Sequence, residues 1–160
     1  MRQEDSKPAI ISANGCGCLV LLMCIGVMGA IALPSFLSMA NKAKQSEAKQ
    51  YVGSMNRAQQ AKFAENTAFS NSIDALGLGL KTETTNYKYS TRATKQAAFN
   101  YGVSKQKTET SYVGGVFIVP AKTTSAILCE ADDRGTIEPA EPIYQNGKVI
   151  CGKGTTAVTK

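Results

Sequence analysis

The sequence predicts an α+β chain in which one long N-terminal helix, half apolar and half amphipathic, packs on a small antiparallel β-sheet. Three observations carry this expectation. Lys7 and Lys42 bound a stretch with no charged residue. Residues 40–65 then place apolar side chains at three- and four-residue spacing, the period of a half-buried helix. After Gly79 the period changes to alternation and short Tyr-, Val- and Ile-bearing runs, which read as strands. A chain of 160 residues is length for about one domain.

Taken in order, residues 1–15 form an N-terminal leader or cytoplasmic segment, where Arg2 and Lys7 offset Glu4 and Asp5. Residues 16–39 are apolar or small, and as helix they extend roughly 36 Å at about 1.5 Å per residue. A hydrocarbon core is about 30 Å thick, so this segment is expected to be a transmembrane helix in contact with lipid. A cleaved signal peptide has a shorter apolar region, and a lipid anchor at Cys16 would want the apolar run before that Cys rather than after it. Pro34 removes a backbone donor inside the span and is expected to kink it. Gly26 and Ala30 form a small-xxx-small pair that lets another membrane helix approach closely.

Residues 40–65 continue the span as an amphipathic helix, giving a whole of roughly 75 Å. Ala48, Tyr51, Val52, Met55, Ala58 and Phe63 fall on one face, which is expected to cover a core. Asn66-Thr67 closes the helix. Ser70-Asn-Ser72 caps a short turn through Leu76, ended by Gly77 and Gly79. In the C-terminal domain, residues 66–160, strands are expected at Tyr87 and Tyr89, over Tyr112–Val119, Ala126–Cys129 and Val149–Cys151. Asn146-Gly147 supplies a tight hairpin turn. Residues 90–110 and 130–142 are polar or Pro-bearing and are expected to be loops.

The chain carries 18 Lys+Arg against 12 Asp+Glu, a formal charge of +6, and it has no His. That excludes Ser-His-Asp and Cys-His catalysis and every His-containing metal site. Glu130, Asp132, Asp133, Glu138 and Glu141 cluster near Cys129, and paired carboxylates can do acid/base work. Gly and two prolines among them point instead to a solvated loop, and the spacing is not that of a calcium loop. No catalytic residue, metal ligand or cofactor is assigned. Between Lys81 and Lys107, six basic residues (Lys81, Lys88, Arg92, Lys95, Lys105 and Lys107) meet one acid, Glu83, and Tyr87, Tyr89, Phe99 and Tyr101 are interleaved. Exposed, such a segment would bind DNA or an anionic glycan by charge and stacking. The other reading is a solvated loop with its rings in the core.

Orientation draws two opposed signals. Lys42, Lys44, Lys49 and Arg57 after the span outnumber Arg2 and Lys7 before it, which favours a cytoplasmic C-terminal domain. Cys129 and Cys151, a lone pair 22 positions apart, fit one disulfide in an oxidising compartment, worth about 3 kcal/mol as loop closure. Two unrelated buried thiols are the alternative. The exported orientation is favoured, giving a single-pass protein of the plasma (inner) membrane with its C-terminal domain periplasmic or extracellular.

At Ala30-Ile-Ala-Leu-Pro-Ser-Phe-Leu37 a known pattern emerges. This string, running into an amphipathic helix and then short strands with a C-terminal Cys pair, resembles type IV pilins. Asn41-Lys-Ala-Lys-Gln-Ser-Glu-Ala-Lys49 and Tyr51-Val-Gly-Ser-Met-Asn-Arg-Ala-Gln-Gln60 are similar to the cyanobacterial pilin-like G/H group. So are Leu76-Gly-Leu-Gly79 and Asn86-Tyr-Lys-Tyr89. The likeness is close over residues 26–90 and one of layout beyond.

The resemblance implies a pilin-like fold and a non-enzymatic role as a minor pilus subunit or a pilus or secretion accessory protein. It also implies helix-to-helix partners, either other pilin-like subunits or assembly-platform proteins. The usual prepilin peptidase site is missing: counting back from Pro34, Gly17 stands where the family has its Glu, and Ser12 where it has the Gly of the cleavage site. A charge in lipid is costly unless paired, so losing that Glu removes a device for aligning subunits.

Overall fold

The computed structural model describes the backbone of residues 15–158 and the side chains of residues 21–27 and 39–158. Helix α1 (Gly15–Asn66) is followed by strands β1 (Tyr87–Ala93), β2 (Ala97–Ser104), β3 (Thr110–Val119), β4 (Thr123–Arg134), β5 (Ile143–Gln145), β6 (Lys148–Ile150) and β7 (Thr155–Ala157). The chain divides into two compact units, residues 1–40 and 41–160.

In the first unit, Leu21, Leu22, Met23, Ile25 and Val27 are all exposed on α1. Among the described residues no helix is long and apolar enough to cross a membrane. The expected span at 16–39 falls largely outside the described side chains. The kink expected at Pro34 and the packing role expected of Ala30 lie there too. Gly26 has open space where a Cβ would stand.

The second unit is layered. Strands β1-β2-β3-β4-β7 form an antiparallel sheet in that order, and β5-β6 pair separately. The C-terminal half of α1 covers one face, where Ala48, Val52 and Met55 are fully buried with Tyr87, Tyr89 and Tyr112. Their spacing of four and three is what put them on one helix face. Fully burying side chains the size of Val52 and Met55 contributes about 1.5–3 kcal/mol each. On the other face Ala97, Phe99, Tyr101, Val113, Phe117 and Cys129 form a second cluster, against which Val149 packs.

Two expected loops are strands instead. Residues 90–110 hold the end of β1 and all of β2, which is buried along nearly its whole length. Lys95, Lys105 and Lys107 gave that stretch its polar character, but they occupy the turns flanking β2. Because β2 is covered on both faces, it lacks the alternation that marks a half-buried strand. Within 130–142, β4 continues to Arg134 and only the remainder is irregular. Among the described residues the sheet domain has seven strands rather than three or four.

The turns follow their residues. Asn146 and Gly147 have φ of 52° and 76°, as a type I′ hairpin turn requires. Thr67 N–H donates to Phe63 O at 2.8 Å and ends α1. Gly77, at φ 68°, ends the 3-10 turn Asp74–Leu76.

Candidate functional site

The basic segment of residues 81–107 is dispersed by the fold. Tyr87, Tyr89, Phe99 and Tyr101 are buried, so their rings offer no stacking platform. Burial pushes the hydroxyls of Tyr87, Tyr89, Tyr101 and Tyr112 well above the usual tyrosine range, and nearby carboxylates push the same way. Tyr89 OH donates to Glu47 at 3.2 Å, and Tyr87 OH to Thr110 O at 3.1 Å. Two of the six cations are spent on local ion pairs. Lys105 pairs with Glu83 and holds that carboxyl below its ordinary range by hydrogen bond and charge. Arg92 pairs with Glu141 and lies 5.0 Å over the Phe99 ring. Lys81, Lys88, Lys95 and Lys107 stay exposed.

The acidic cluster is likewise divided between the two faces of the sheet. Glu130 meets Lys49 of α1 at 3.2 Å, and Asp132 accepts from Thr156 Oγ1 at 2.6 Å. Glu141 lies on the opposite face, accepting from Tyr101 OH and from Arg92. Its segment forms a strap across that face. Pro142 is fully buried on Gly115, where a Cβ would come within 3.0 Å of it. Phe117 stacks on Tyr144 at 6.4 Å between ring centroids.

Cys129 and Cys151 form a disulfide, with Cα atoms 5.8 Å apart, that fastens the end of β6 to β4. Cys24 is free and exposed.

A buried polar chain joins α1 to the sheet. Gln59 donates to Ser70 O at 2.7 Å and to Thr91 Oγ1 at 3.0 Å, and accepts from Ser70 N–H at 2.9 Å. Thr91 donates to Asn100 Oδ1 at 2.7 Å, Asn100 to Asn56 Oδ1 at 2.8 Å, and Asn56 to Ile127 O at 2.9 Å. Such a network fixes one docking of helix on sheet because every member finds a partner. Gly114 makes room for it: a Cβ there would stand 2.2 Å from Asn56 Oδ1. Elsewhere on the same face Glu109 is fully buried, held by Lys44 Nζ at 3.7 Å and Gln45 Nε2 at 3.3 Å.

The sequence reading missed Asn56, Gln59, Glu109, Gly114 and the ion-pairing of Glu141. The one available signal was positional, since Asn56 and Gln59 continue the face of Val52 and Met55.

Beside this face a groove runs between α1 and β4. One part, about 490 Å³, is lined by Gly53, Arg57, Gln60, Leu128 and Val158. The other, about 760 Å³, is lined by Gln60, Phe63, Lys122 and Thr124. Among the described residues lining these two parts there is no carboxylate, histidine or cysteine.

A family model described as type IV pilin-like G and H matches residues 45–152. The match covers the helix-and-sheet unit from the C-terminal half of α1 through β6 and stops short of β7, while the Ala30–Leu37 string lies ahead of it. No curated protein and no solved structure matches the chain. Since the family model spans well over half of the residues, the chain belongs to the type IV pilin-like G and H family.

Proposed function

We propose that the chain is a non-enzymatic, pilin-like membrane protein, a minor pilus subunit or an accessory of a pilus or secretion assembly. It acts by packing, helix against the helices of other pilin-like subunits or assembly-platform proteins, and it presents its sheet domain outside the plasma (inner) membrane. The observation that carries this reading is family membership across the helix-and-sheet unit. Two further features support it. The exposed apolar residues of α1 from Leu21 to Val27 suit a lipid or helix partner, since an apolar surface of that kind is unstable in water. The Cys129–Cys151 disulfide suits an oxidising compartment.

The test is expression with a C-terminal tag, then separate collection of cytosol, membranes and sheared filaments. Recovery in membranes or filaments is expected. A wholly soluble cytoplasmic chain overturns the proposal.

A further inference from the structure

The two edges of the five-stranded sheet are finished differently. The outer edge of β1 is occupied by the chain itself. Tyr89 N–H donates to Thr82 O at 2.7 Å, Glu83 bridges to Lys88, and Ala93 N–H donates to Asn71 Oδ1. Among the described residues, which end at Val158, the other edge is only partly closed. β7 pairs with Cys129, Glu130 and Ala131 of β4, and Val158 N–H donates to Leu128 O at 2.9 Å. In an antiparallel ladder both main-chain groups of a residue turn to the same side, and that side alternates along the strand. The Val158–Leu128 bond therefore assigns the even-numbered residues of β4 to the β7 side. Thr124 and Ala126 follow in that series, beyond the last β7 pairing. Among the described residues both are paired with β3 alone and neither main chain makes a hydrogen bond outside that ladder, while the Thr124 hydroxyl accepts from Gln60 Nε2 at 3.2 Å.

Exposed edges are usually guarded by charge, proline or a bulge. From Thr123 to Cys129 β4 has neither charge nor proline, and the irregularity in its register lies at the far end, between Thr110 and Tyr112 of β3. The groove along α1 runs beside this bare segment. Its rim carries cations without an acidic counterpart: Arg57 reaches only Ser54 Oγ, at 3.2 Å, and neither Arg57 nor Lys122 is in an ion pair among the described residues.

We propose that β4 is a strand acceptor: an extended, acidic segment of a partner protein adds to its edge at residues 123–127. Main-chain bonds to Thr124 and Ala126 hold the segment, apolar side chains on the helix side enter the groove, and a carboxylate meets Arg57 or Lys122. Unpaired donors and acceptors in strand geometry ask for another extended backbone, and the cationic rim selects its charge. A second copy offering the same edge fits less well, because antiparallel pairing centred on Ser125 brings Lys122 of one copy toward Arg57 of the other.

The experiment uses the full chain in detergent micelles and a fluorescein-labelled octapeptide alternating Val and Thr around one Asp. Saturable binding by anisotropy is expected, with amide exchange at Thr124 and Ala126 fast in the free chain and slowed about tenfold on binding. Arg57→Glu, or Lys for Asp in the peptide, is expected to weaken binding about tenfold, about 1.4 kcal/mol. Ala126→Pro removes a required N–H and abolishes binding. Where that variant fails to fold, exchange in the unaltered chain decides. The proposal is overturned if these amides are already slow in the free chain, if binding leaves them unprotected, if no saturable binding occurs, or if the free chain dimerises through this edge.

Discussion

Replacing Gly114 with Ala tests the buried polar chain at its tightest point. The added methyl would lie 2.2 Å from Oδ1, 2.6 Å from Nδ2 and 2.7 Å from Cγ of Asn56, well inside contact distance. The carboxamide must leave, losing its bonds to Asn100 and to Ile127 O. Asn100 is fully buried, so its freed N–H₂ costs about 1–3 kcal/mol, and the displaced amide costs a similar amount unless it reaches water. Gly114→Ala is therefore expected to destabilise the domain by about 3 kcal/mol. Asn56→Ala removes the clashing atoms, and in that background the same methyl fills vacated space and costs about 0–1 kcal/mol. A double-mutant cycle by urea unfolding should give a coupling of about 2–3 kcal/mol, with the double variant more stable than additivity allows. If Gly114→Ala costs the same in both backgrounds within about 0.5 kcal/mol, the placement of Asn56 in the Gly114 hollow is wrong.

Reducing the Cys129–Cys151 disulfide should lower stability by about 2–4 kcal/mol, measured as a shift in the urea midpoint with and without reductant, and should loosen the strap and hairpin first. Glu141→Ala leaves the buried Tyr101 hydroxyl without its acceptor and should cost about 1–3 kcal/mol by thermal unfolding, whereas Glu141→Gln keeps an acceptor and should cost less. Tyr87, Tyr89, Tyr101 and Tyr112 hold their protons more firmly folded than unfolded. Above pH about 10 the unfolded chain thus binds fewer protons, and stability, undiminished by this effect below that pH, should fall by up to about 1.4 kcal/mol per pH unit for each. Absorbance at the tyrosinate band should then rise together with loss of structure, and ionisation of these four in the folded domain would contradict their burial.

Much of the fold was legible because one face of α1 obeys a single period. Ala48, Val52 and Met55 announce a helix against a core, and the Asn146-Gly147 turn and the Cys pair announce themselves locally. β2 was hidden because burial on both faces removes alternation, and because lysines in its flanking turns lent the whole stretch their polarity. The polar chain was hidden for another reason. Asn56 and Gln59 look like surface residues until Gly114 and Thr91 arrive from distant strands, and only the assembled sheet supplies those partners. The edge of β4 that is unpaired among the described residues depends on the register of β7, which residue types alone do not set.

The proposed function requires that the pilin-like domain be exported on the apolar half of its helix. Protease digestion of intact spheroplasts bearing the C-terminally tagged chain tests it most directly, with thiol labelling by a membrane-impermeant maleimide before and after reduction. The tag is expected to be lost from outside, the helix to stay with the membrane through carbonate extraction, and Cys129 and Cys151 to label only once reduced. A tag protected from external protease, with both thiols free, would contradict it.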